Sequence, residues 1–393
     1  MTGRACDIAI VGGGLAGGLA ALALARARPD LAIRLIEQSG APGGNHRWSW
    51  FASDLSPAAA ELLAPFRKAE WDSGYDVAFP GRRRHLPTPY RSLTSADFAA
   101  TLAQALPAGT ILSGQAVRAF DRAGVDLAGG ERVAARLVID ARGPVSAPQL
   151  TGGWQVFLGR HLRTDEPHGL GRPTIMDAAV PQLGGFRFVY VLPLGAREIF
   201  VEDTYYQDGP VLDRATLGGR LDAYCAEHDW RGQIVGEETG VLPVITGGDF
   251  AEFQAAQRTP GVAVIGARGG LVHPLTSYTL PFAAETALAI AANADLPGAA
   301  LAALIEERAR AHWQATRFYR RLGAMLFGAA RPDHRWRVFA RFYRLPAPLI
   351  ERFYAARSTL PDKARILCGR PPVPLAGAIR ALTADQPPLK AAA

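Results

Sequence analysis

Cysteine is scarce in this sequence. The 393 residues include three cysteines, Cys6, Cys225 and Cys368, which are widely separated along the chain. This spacing excludes a disulfide framework and a cysteine-based zinc site, so we expect a reducing compartment and no bound metal. A C-x-x-C pair is also lacking, which excludes an enzyme of the disulfide reductase type.

Lysine is equally rare, and the basic charge is carried almost entirely by arginine. The formal net charge is +7. Nucleotide bias in the source genome would explain the arginine excess, and so would an anionic partner such as phosphate, nucleic acid or a membrane surface. Apolar residues make up 49% of the chain and charged residues 20%, which excludes extensive disorder. A chain of this length predicts two to three domains, or one large α/β unit with insertions.

A membrane-spanning run is absent in spite of one long uncharged segment. Residues 8–25 carry no charge, but five glycines interrupt them, and Asp7 enters the segment. A transmembrane helix or signal peptide would have leucine, isoleucine or valine in place of these glycines. The segment divides instead into a β-branched strand, Cys6–Val11, and an alanine- and leucine-rich helix, Leu15–Arg26.

The joint between this strand and helix matches the dinucleotide-binding fingerprint G-x-G-x-x-G. Its residues are Gly12, Gly13, Gly14, Leu15, Ala16 and Gly17. A second predicted strand, 32–36, ends in Glu37, 20 residues after Gly17. The first glycine allows the tight turn, the second a close approach to a pyrophosphate, and the third close packing of helix on strand. Glu37 is placed to accept hydrogen bonds from a ribose. An accidental glycine-rich turn is the alternative.

Two later segments favour FAD over NAD as the dinucleotide. Residues 136–144 form a buried strand ending in Asp-Ala-Arg-Gly, and residues 261–280 form a strand followed by a glycine-rich turn and the predicted helix Pro281–Asn293. In FAD-binding folds, a late strand–glycine–helix segment brings a helix N-terminus to the flavin. The residues that we expect to contact the cofactor here are Asp140, Gly143, Gly266, Pro274 and Thr276.

The predicted fold class is α/β, with an FAD-binding Rossmann-like domain, an inserted mainly antiparallel β substrate domain and a helical C-terminal region. We expect the FAD-binding domain to comprise residues 1–70, 95–150 and 255–300. The substrate domain is predicted at 71–94 and 151–254. Its predicted strands include Trp154–Gly159, Gly185–Leu194 and Glu198–Tyr206. Residues 301–393 form the helical region.

The helical region begins with an amphipathic pattern at 299–323 and is rich in arginine and aromatic residues. Between Arg308 and Arg357 only Asp333 and Glu351 are acidic. Basic charge beside large aromatics is typical of a surface that contacts lipid headgroups. A helical cap with its aromatics in the core is an equal alternative. Nucleic acid also binds such surfaces, but no nucleic-acid motif is present, so no nucleic-acid partner is predicted.

Glu202 and Asp203 are the candidate catalytic acids. They follow a hydrophobic strand, and strand alternation places Phe200, Glu202 and Thr204 on one face and Asp203 on the other. A carboxyl against apolar walls has a raised pKa and stays protonated near neutrality, as a general acid requires. The alternative is an acid pair that forms salt bridges or caps a turn.

Three further residues are weaker candidates. Asp177 follows a short strand, while His46 and His273 lie in two glycine-rich loops. A histidine in a loop is more often a hydrogen-bonding residue than a catalyst. Only one G-x-G-x-x-G occurs, so a second nucleotide site for NADPH is not predicted.

Four stretches together resemble the bacterial lycopene β-cyclases of carotenoid biosynthesis. They are the fingerprint with its continuation at 43–50, residues 186–194, residues 200–206 and the loop 273–281. The third stretch is similar to the family pattern F-x-E-[ED]-T. The chain departs from residues common in the family at Arg47, Trp50 and Leu275.

The resemblance implies a non-redox reaction that uses reduced FAD, charged by NAD(P)H. Lycopene, a linear forty-carbon hydrocarbon, is closed at its ends into β-ionone rings through a monocyclic intermediate. The family motif assigns the acid to Glu202, with Asp203 as its neighbour. Because lycopene dissolves in lipid, we expect a cytoplasmic protein attached peripherally to the inner face of the membrane, with no obligate protein partner.

Two other functions stay open from the sequence. A flavin-dependent monooxygenase or prenyl reductase acting on an apolar substrate would share the nucleotide fingerprint. A non-catalytic FAD- or lipid-binding protein would share it as well, but would not depend on Glu202.

Overall fold

A computed structural model describes residues 5–144, 146–369, 371–384 and 386–390. Its strands, in chain order, are β1 Ala5–Val11, β2 Ile33–Ile36, β3 Arg47–Phe51, β4 Ala69–Trp71, β5 Tyr75–Phe79, β6 Arg82–Leu86, β7 Tyr90–Thr94, β8 Ile111–Leu112, β9 Val117–Asp121, β10 Gly124–Leu127, β11 Arg132–Asp140, β12 Ala147–Thr164, β13 Thr174–Asp177, β14 Phe186–Gly195, β15 Glu198–Gln207, β16 Gly232–Gly248, β17 Ala263–Val264 and β18 Pro388–Leu389.

The helices, in chain order, are α1 Leu15–Ala27, α2 Pro57–Leu63, α3 Ser95–Ala105, α4 Arg214–Glu227, α5 Phe250–Gln257, α6 Leu280–Ala292, α7 Gly298–Ala315, α8 Arg317–Ala329, α9 Trp336–Phe342, α10 Ala347–Tyr354, α11 Leu360–Leu367 and α12 Leu375–Thr383. The uncharged N-terminal segment therefore divides into β1 and α1, as its two periods predict. In the described part of the chain, no helix is both long and apolar enough to cross a bilayer.

The first sheet contains β1, which leads into the glycine-rich fingerprint, and β2, which precedes Glu37. Its order is β8-β2-β1-β11-β10-β9, and β17 pairs with the end of β11. The pairs β2–β1, β1–β11 and β11–β17 are parallel, as expected for strands joined by crossover helices. Apolar side chains of α1 and α6, among them Leu19, Leu22 and Ile290, are fully buried against this sheet.

The second sheet is larger and mainly antiparallel. Its order is β16-β12-β15-β14-β13-β5-β6, with β18 on β12, and only β13–β5 is parallel. A small antiparallel sheet, β3-β7-β4, lies beside it. The predicted fold class is confirmed, including the antiparallel sheet and the C-terminal helices. The domain boundaries that we placed along the chain stay a prediction.

The amphipathic pattern at 299–323 does not form a single helix, and that prediction is wrong. The chain breaks at Thr316, between α7 and α8. The Thr316 hydroxyl donates to the carbonyl of His312 at 2.7 Å and accepts from Arg320 Nη1 at 2.9 Å. A threonine bonded back to the preceding turn bends or ends a helix, and a pattern of apolar spacing does not register it.

Candidate active site

The turn between β1 and α1 is built around two glycines that no other residue can replace without movement. Gly12 has φ +103°, and a Cβ there would lie 2.7 Å from the carbonyl oxygen of Ala141. A Cβ on Gly17 would lie 2.0 Å from the carbonyl oxygen of Gly12. Gly14, the N-cap of α1, has no atom within 4 Å of its Cβ position. The turn thus leaves open space in front of the helix N-terminus, where backbone N–H groups can bind a phosphate.

Glu37 is fixed beside this turn. Its Oε2 accepts a hydrogen bond from the N–H of Gly13 at 2.7 Å, and its Oε1 accepts from the N–H of Ser39 at 2.8 Å. Each carboxylate oxygen keeps a second lone pair for a donor such as a ribose hydroxyl.

A cavity of about 760 Å³ extends from this turn to the second sheet. The predicted cofactor residues that line it are Gly12, Gly14, Leu15, Ala16, Glu37, Gly143, Gly266 and Thr276. Gly13, Gly17, Asp140 and Pro274, also predicted to contact the cofactor, are not among the residues that line the cavity. One cavity therefore joins both glycine-rich turns, as a dinucleotide site requires.

Asp140 and Pro274 hold residues that border the cavity. The buried Asp140 carboxylate accepts from Arg142 Nε and Nη2, both at 2.8 Å, and Arg142 lines the cavity. The Pro274 carbonyl accepts from the N–H of Ile245 at 2.8 Å and fixes the loop that presents Thr276. Arg142 was not predicted from the sequence.

Glu202 points from β15 into the same cavity. The side chains of Phe200 and Glu202 line it together, as strand alternation predicts. Glu202 is 8% exposed, and the Thr204 hydroxyl donates to its Oε1 at 2.6 Å. Burial, aided by the nearby Glu238 charge, raises the pKa of the Glu202 carboxyl to about 8. Glu202 is therefore protonated at neutral pH and can act as an acid.

Asp203 faces away from the cavity. It is fully buried, and its Oδ1 accepts from Arg187 Nε at 2.8 Å. Its neighbours on this face include Val201 and Tyr205, which belong to an apolar cluster shared with α4. Burial raises the pKa of the Asp203 carboxyl to about 6, although the Arg187 charge opposes this. The two adjacent acids therefore lie in separate environments.

The weaker candidates lie in different places. Asp177 accepts from the Tyr224 hydroxyl at 2.9 Å, behind the second sheet. His273 is fully buried, its Nε2 lies 3.1 Å from the carbonyl oxygen of Phe353, and burial lowers its pKa to about 3. His46 lines the cavity, and burial lowers its pKa. Of the three, only His46 is placed to touch a bound molecule.

Three tyrosines that sequence reasoning missed form one wall of the cavity. The Tyr278 hydroxyl lies 3.0 Å from that of Tyr90 and 3.1 Å from that of Tyr190. Burial raises the pKa of each, so the hydroxyls stay neutral. Tyr190 lies in the stretch 186–194 and Tyr278 in the loop 273–281, both noted in the sequence, but only the fold brings them to Tyr90.

Arg47 and Glu238 were also missed, and both line the cavity. The Arg47 guanidinium carbon lies 5.0 Å from the centre of the Phe200 ring. Its buried Nε has no hydrogen-bond partner among the residues that the structure describes. Burial raises the pKa of the Glu238 carboxyl to about 7, against the opposing Arg47 charge.

The arrangement suits acid chemistry on an apolar molecule. A protonated carboxyl faces a cavity whose aromatic lining includes Trp48, Phe157, Phe200 and the three tyrosines. Aromatic faces attract cations through the ring quadrupole. The cavity can therefore donate a proton to an apolar substrate and stabilise the resulting positive charge.

Comparison with known sequences matches nearly the whole chain to one family. The family model described as lycopene cyclase protein matches residues 7–379. A lycopene beta-cyclase from Pseudescherichia vulneris is 45% identical over 376 residues, covering 95% of this chain and 96% of that protein. A lycopene beta-cyclase from a Paracoccus species is 41% identical over 391 residues, covering 98% of each.

Comparison with solved structures supports the fold. A geranylgeranyl bacteriochlorophyll reductase-like protein from Thermoplasma acidophilum aligns with a TM-score of 0.59 at 14% identity, covering 97% of this chain and 99% of that one. A flavin-dependent brominase aligns with a TM-score of 0.57 at 13% identity, covering 90% and 94%.

Proposed function

The chain belongs to the lycopene cyclase family, and on this basis we propose that it is a lycopene β-cyclase. It closes the acyclic ends of lycopene into β-ionone rings with no net redox change, giving γ-carotene and then β-carotene. The observation that carries this proposal is a buried carboxyl, that of Glu202, which faces the same cavity as the dinucleotide-binding turn.

The Glu202 carboxyl supplies the proton that starts ring closure. Its O–H bond breaks as a C–H bond forms at the terminal double bond, which leaves a tertiary carbocation. The neighbouring double bond attacks this centre, a C–C bond closes the ring, and the positive charge moves to a ring carbon. Loss of a ring proton then gives the β-ionone ring, so substrate and product have equal mass.

The aromatic lining holds the positive charge while the ring closes. Tyr190 pairs directly with Glu202 across β14 and β15, so its ring lies beside the point of protonation. Neutral tyrosine hydroxyls linked to one another at Tyr278 expose few polar atoms to the cation. This wall therefore protects the cation from capture by a nucleophile.

We propose FAD as the cofactor, in its reduced form, with NAD(P)H as the reductant. The residues present fit a dinucleotide, because Gly14 leaves its Cβ position open in front of the α1 N-terminus and Glu37 is held beside it. The similarity to a flavin-dependent enzyme supports a flavin. When bound, anionic reduced flavin supplies negative charge that stabilises a cation in a water-poor site.

Asp203 is a positioning residue in this proposal. Its ion pair with Arg187 fastens the buried face of β15 to β14. Because Glu202 directly precedes Asp203 on the same strand, this anchor helps to hold the backbone that carries the Glu202 carboxyl.

We also propose that the protein takes its substrate from a bilayer through α11 and α12. The aromatic residues of the 308–357 region pack inward, and Tyr319, Tyr343 and Phe353 are buried. The exposed apolar side chains of the two helices are Leu360, Leu367, Leu375, Ile379 and Leu382. Leu375, Ile379 and Leu382 share one face of α12, and the exposed Arg365 and Arg380 complement anionic headgroups.

Flotation with vesicles tests this surface. Replacing Leu375 and Ile379 by serine should weaken binding to anionic vesicles about tenfold or more, because each exposed aliphatic side chain contributes about 1.5 kcal/mol or more on burial. Ile234→Ser, which changes an exposed apolar residue of β16 outside these helices, is the matched control. Unchanged vesicle binding in the double variant would contradict the proposal.

Expression in a lycopene-accumulating host tests the activity itself. We expect the red pigment to be replaced by orange-yellow β-carotene, identified by chromatography. The purified protein with reduced FAD should form the same product without oxygen. Oxygen consumption would indicate a monooxygenase, and a product heavier by added hydrogen would indicate a prenyl reductase.

A further inference from the structure

A second carboxyl stands in the same cross-strand row as Glu202. In the register of the second sheet, Gly159 of β12 pairs with Glu202 of β15 on one side and with Glu238 of β16 on the other. Directly paired residues in a sheet project from the same face. Glu202 and Glu238 therefore face the cavity together, and both line it.

The glycine between them is covered by an aromatic ring. Two strand spacings separate the Glu202 and Glu238 backbones by about 10 Å. A Cβ on Gly159 would lie 2.3 Å from Cζ of Phe200, so the Phe200 ring covers the glycine and forms an apolar floor between the two carboxyls. A terminal group bound over this floor has one carboxyl on each side.

The two carboxyls have different surroundings. Glu202 is buried and bonded to Thr204. Glu238 is only half-buried, and among the described residues its carboxyl has no hydrogen-bond donor. Arg47 is the cationic group that favours its ionised form. The Asn45 side chain donates to the carbonyl of Glu237 at 2.9 Å, which holds the loop preceding Arg47 against β16.

Resting on the proposed cyclase function, we propose that Glu238 is the catalytic base that takes the proton released when the ring forms. The Glu202 O–H bond breaks and a C–H bond forms at the alkene; later a ring C–H bond breaks, its electron pair becomes the ring double bond, and the proton joins the Glu238 carboxylate. One proton thus passes from Glu202 to Glu238 in each closure. Glu238, the less buried of the two carboxyls, returns it to water, and Glu202 is reprotonated from solvent.

The position of this base decides which ring is made. The cyclised cation has its charge on a methyl-bearing carbon with three neighbours that carry removable hydrogens. Loss from the ring-junction carbon gives the β-ring, loss from the ring methylene gives the ε-ring, and loss from the methyl group gives an exocyclic double bond. Gly159 lies between Glu202 and Glu238 in the sheet, so the Glu238 carboxylate has a fixed position relative to the acid. From that position it removes one of these hydrogens selectively.

Replacement of Glu238 by glutamine tests the assignment through the products. Glu238→Gln should slow β-ring formation about a hundredfold or more, and ε-rings, exocyclic double bonds or hydroxylated ends should appear in the remaining products. Chromatography with proton NMR of the isolated carotenoids measures both. Glu237→Gln is the matched control. Glu237 precedes Glu238 on β16, projects from the opposite face of the sheet and contacts Arg160, so this variant should behave as wild type. A Glu238→Gln enzyme that makes only β-rings at the wild-type rate overturns the proposal.

Two further measurements separate the possible failures. Flavin content and the thermal midpoint show whether Glu238→Gln is folded. If it is not, Glu238→Asp is the deciding variant, because a shortened base should lower the rate and retain β-ring selectivity. An unchanged rate in Glu238→Asp would overturn the assignment. If the wild-type protein itself forms no β-carotene, the proposed function fails. If wild type is active and both Glu238 variants equal it, only the role of Glu238 is wrong.

Discussion

The two ends of the cavity are built from different parts of the chain. At the dinucleotide end, glycine backbone and helix N–H groups form the wall, and Glu37 is bonded to backbone N–H groups. At the sheet end, the wall is made of side chains, including Glu202, Glu238 and the tyrosines. We conclude that cofactor binding at the dinucleotide end depends on backbone shape, whereas chemistry at the sheet end depends on the placement of side chains. Variants should therefore affect binding and chemistry separately.

The sharpest separation is expected for Glu202→Gln. The amide keeps the shape of the carboxyl but cannot donate an acidic proton, so turnover should fall about a thousandfold while flavin content stays unchanged. Product formation by chromatography and flavin absorbance measure the two effects. Glu198→Gln, at the partly exposed start of the same strand, is the control. Loss of flavin from Glu202→Gln would show that the two ends of the cavity are not independent.

Gly17→Ala should act at the dinucleotide end and weaken flavin binding. Its Cβ would meet the Gly12 carbonyl oxygen at 2.0 Å, and relief of such overpacking costs about 1–3 kcal/mol. Since the shift moves the α1 N-terminus, flavin affinity should fall about tenfold or more, as measured by equilibrium dialysis. Gly40→Ala, at a position with open space, should bind flavin normally. Normal affinity in Gly17→Ala would show that this end tolerates backbone movement.

Raising the pH should affect the sheet end selectively. The Glu202 pKa, about 8 in the folded protein against an ordinary 4.5, means that turnover falls as pH rises through about 8, roughly tenfold for each further unit. The folded state also keeps a proton that the unfolded chain loses, so this group's contribution to stability declines between pH 4.5 and 8. Urea unfolding of wild type and Glu202→Gln should therefore differ in pH dependence. Parallel curves would contradict the raised pKa.

Asp203→Asn should change turnover least. The substitution leaves the buried Arg187 charge without its carboxylate, which costs about 3 kcal/mol of unfolding free energy. Turnover per folded molecule should fall less than about tenfold, because Asp203 is separated from the cavity by the sheet. Urea unfolding and initial rates measure the two quantities. A loss of turnover as large as that of Glu202→Gln would mean that the two faces of β15 are not independent.

The dinucleotide end could be predicted from the sequence because its residues are contiguous. Spacing within Gly12–Gly17 and the distance to Glu37 define backbone geometry directly. On β15, alternation was enough to assign Glu202 and Asp203 to opposite faces. Glu238 could not be found this way, since its place opposite Glu202 depends on the register of β12 with two partners. Tyr90 comes from a different sheet, and no local pattern specifies that contact.

The interruption at Thr316 allows one segment to serve both halves of the molecule. On one side of it, Leu301 and Ile305 of α7 enter the core below the dinucleotide sheet. On the other side, Tyr319 and Leu326 of α8 enter the core of the antiparallel sheet. Because α7 packs into one core and α8 into the other, the two helices connect the two walls of the cavity and oppose their separation. We therefore expect the two walls to move little relative to each other when a molecule binds between them.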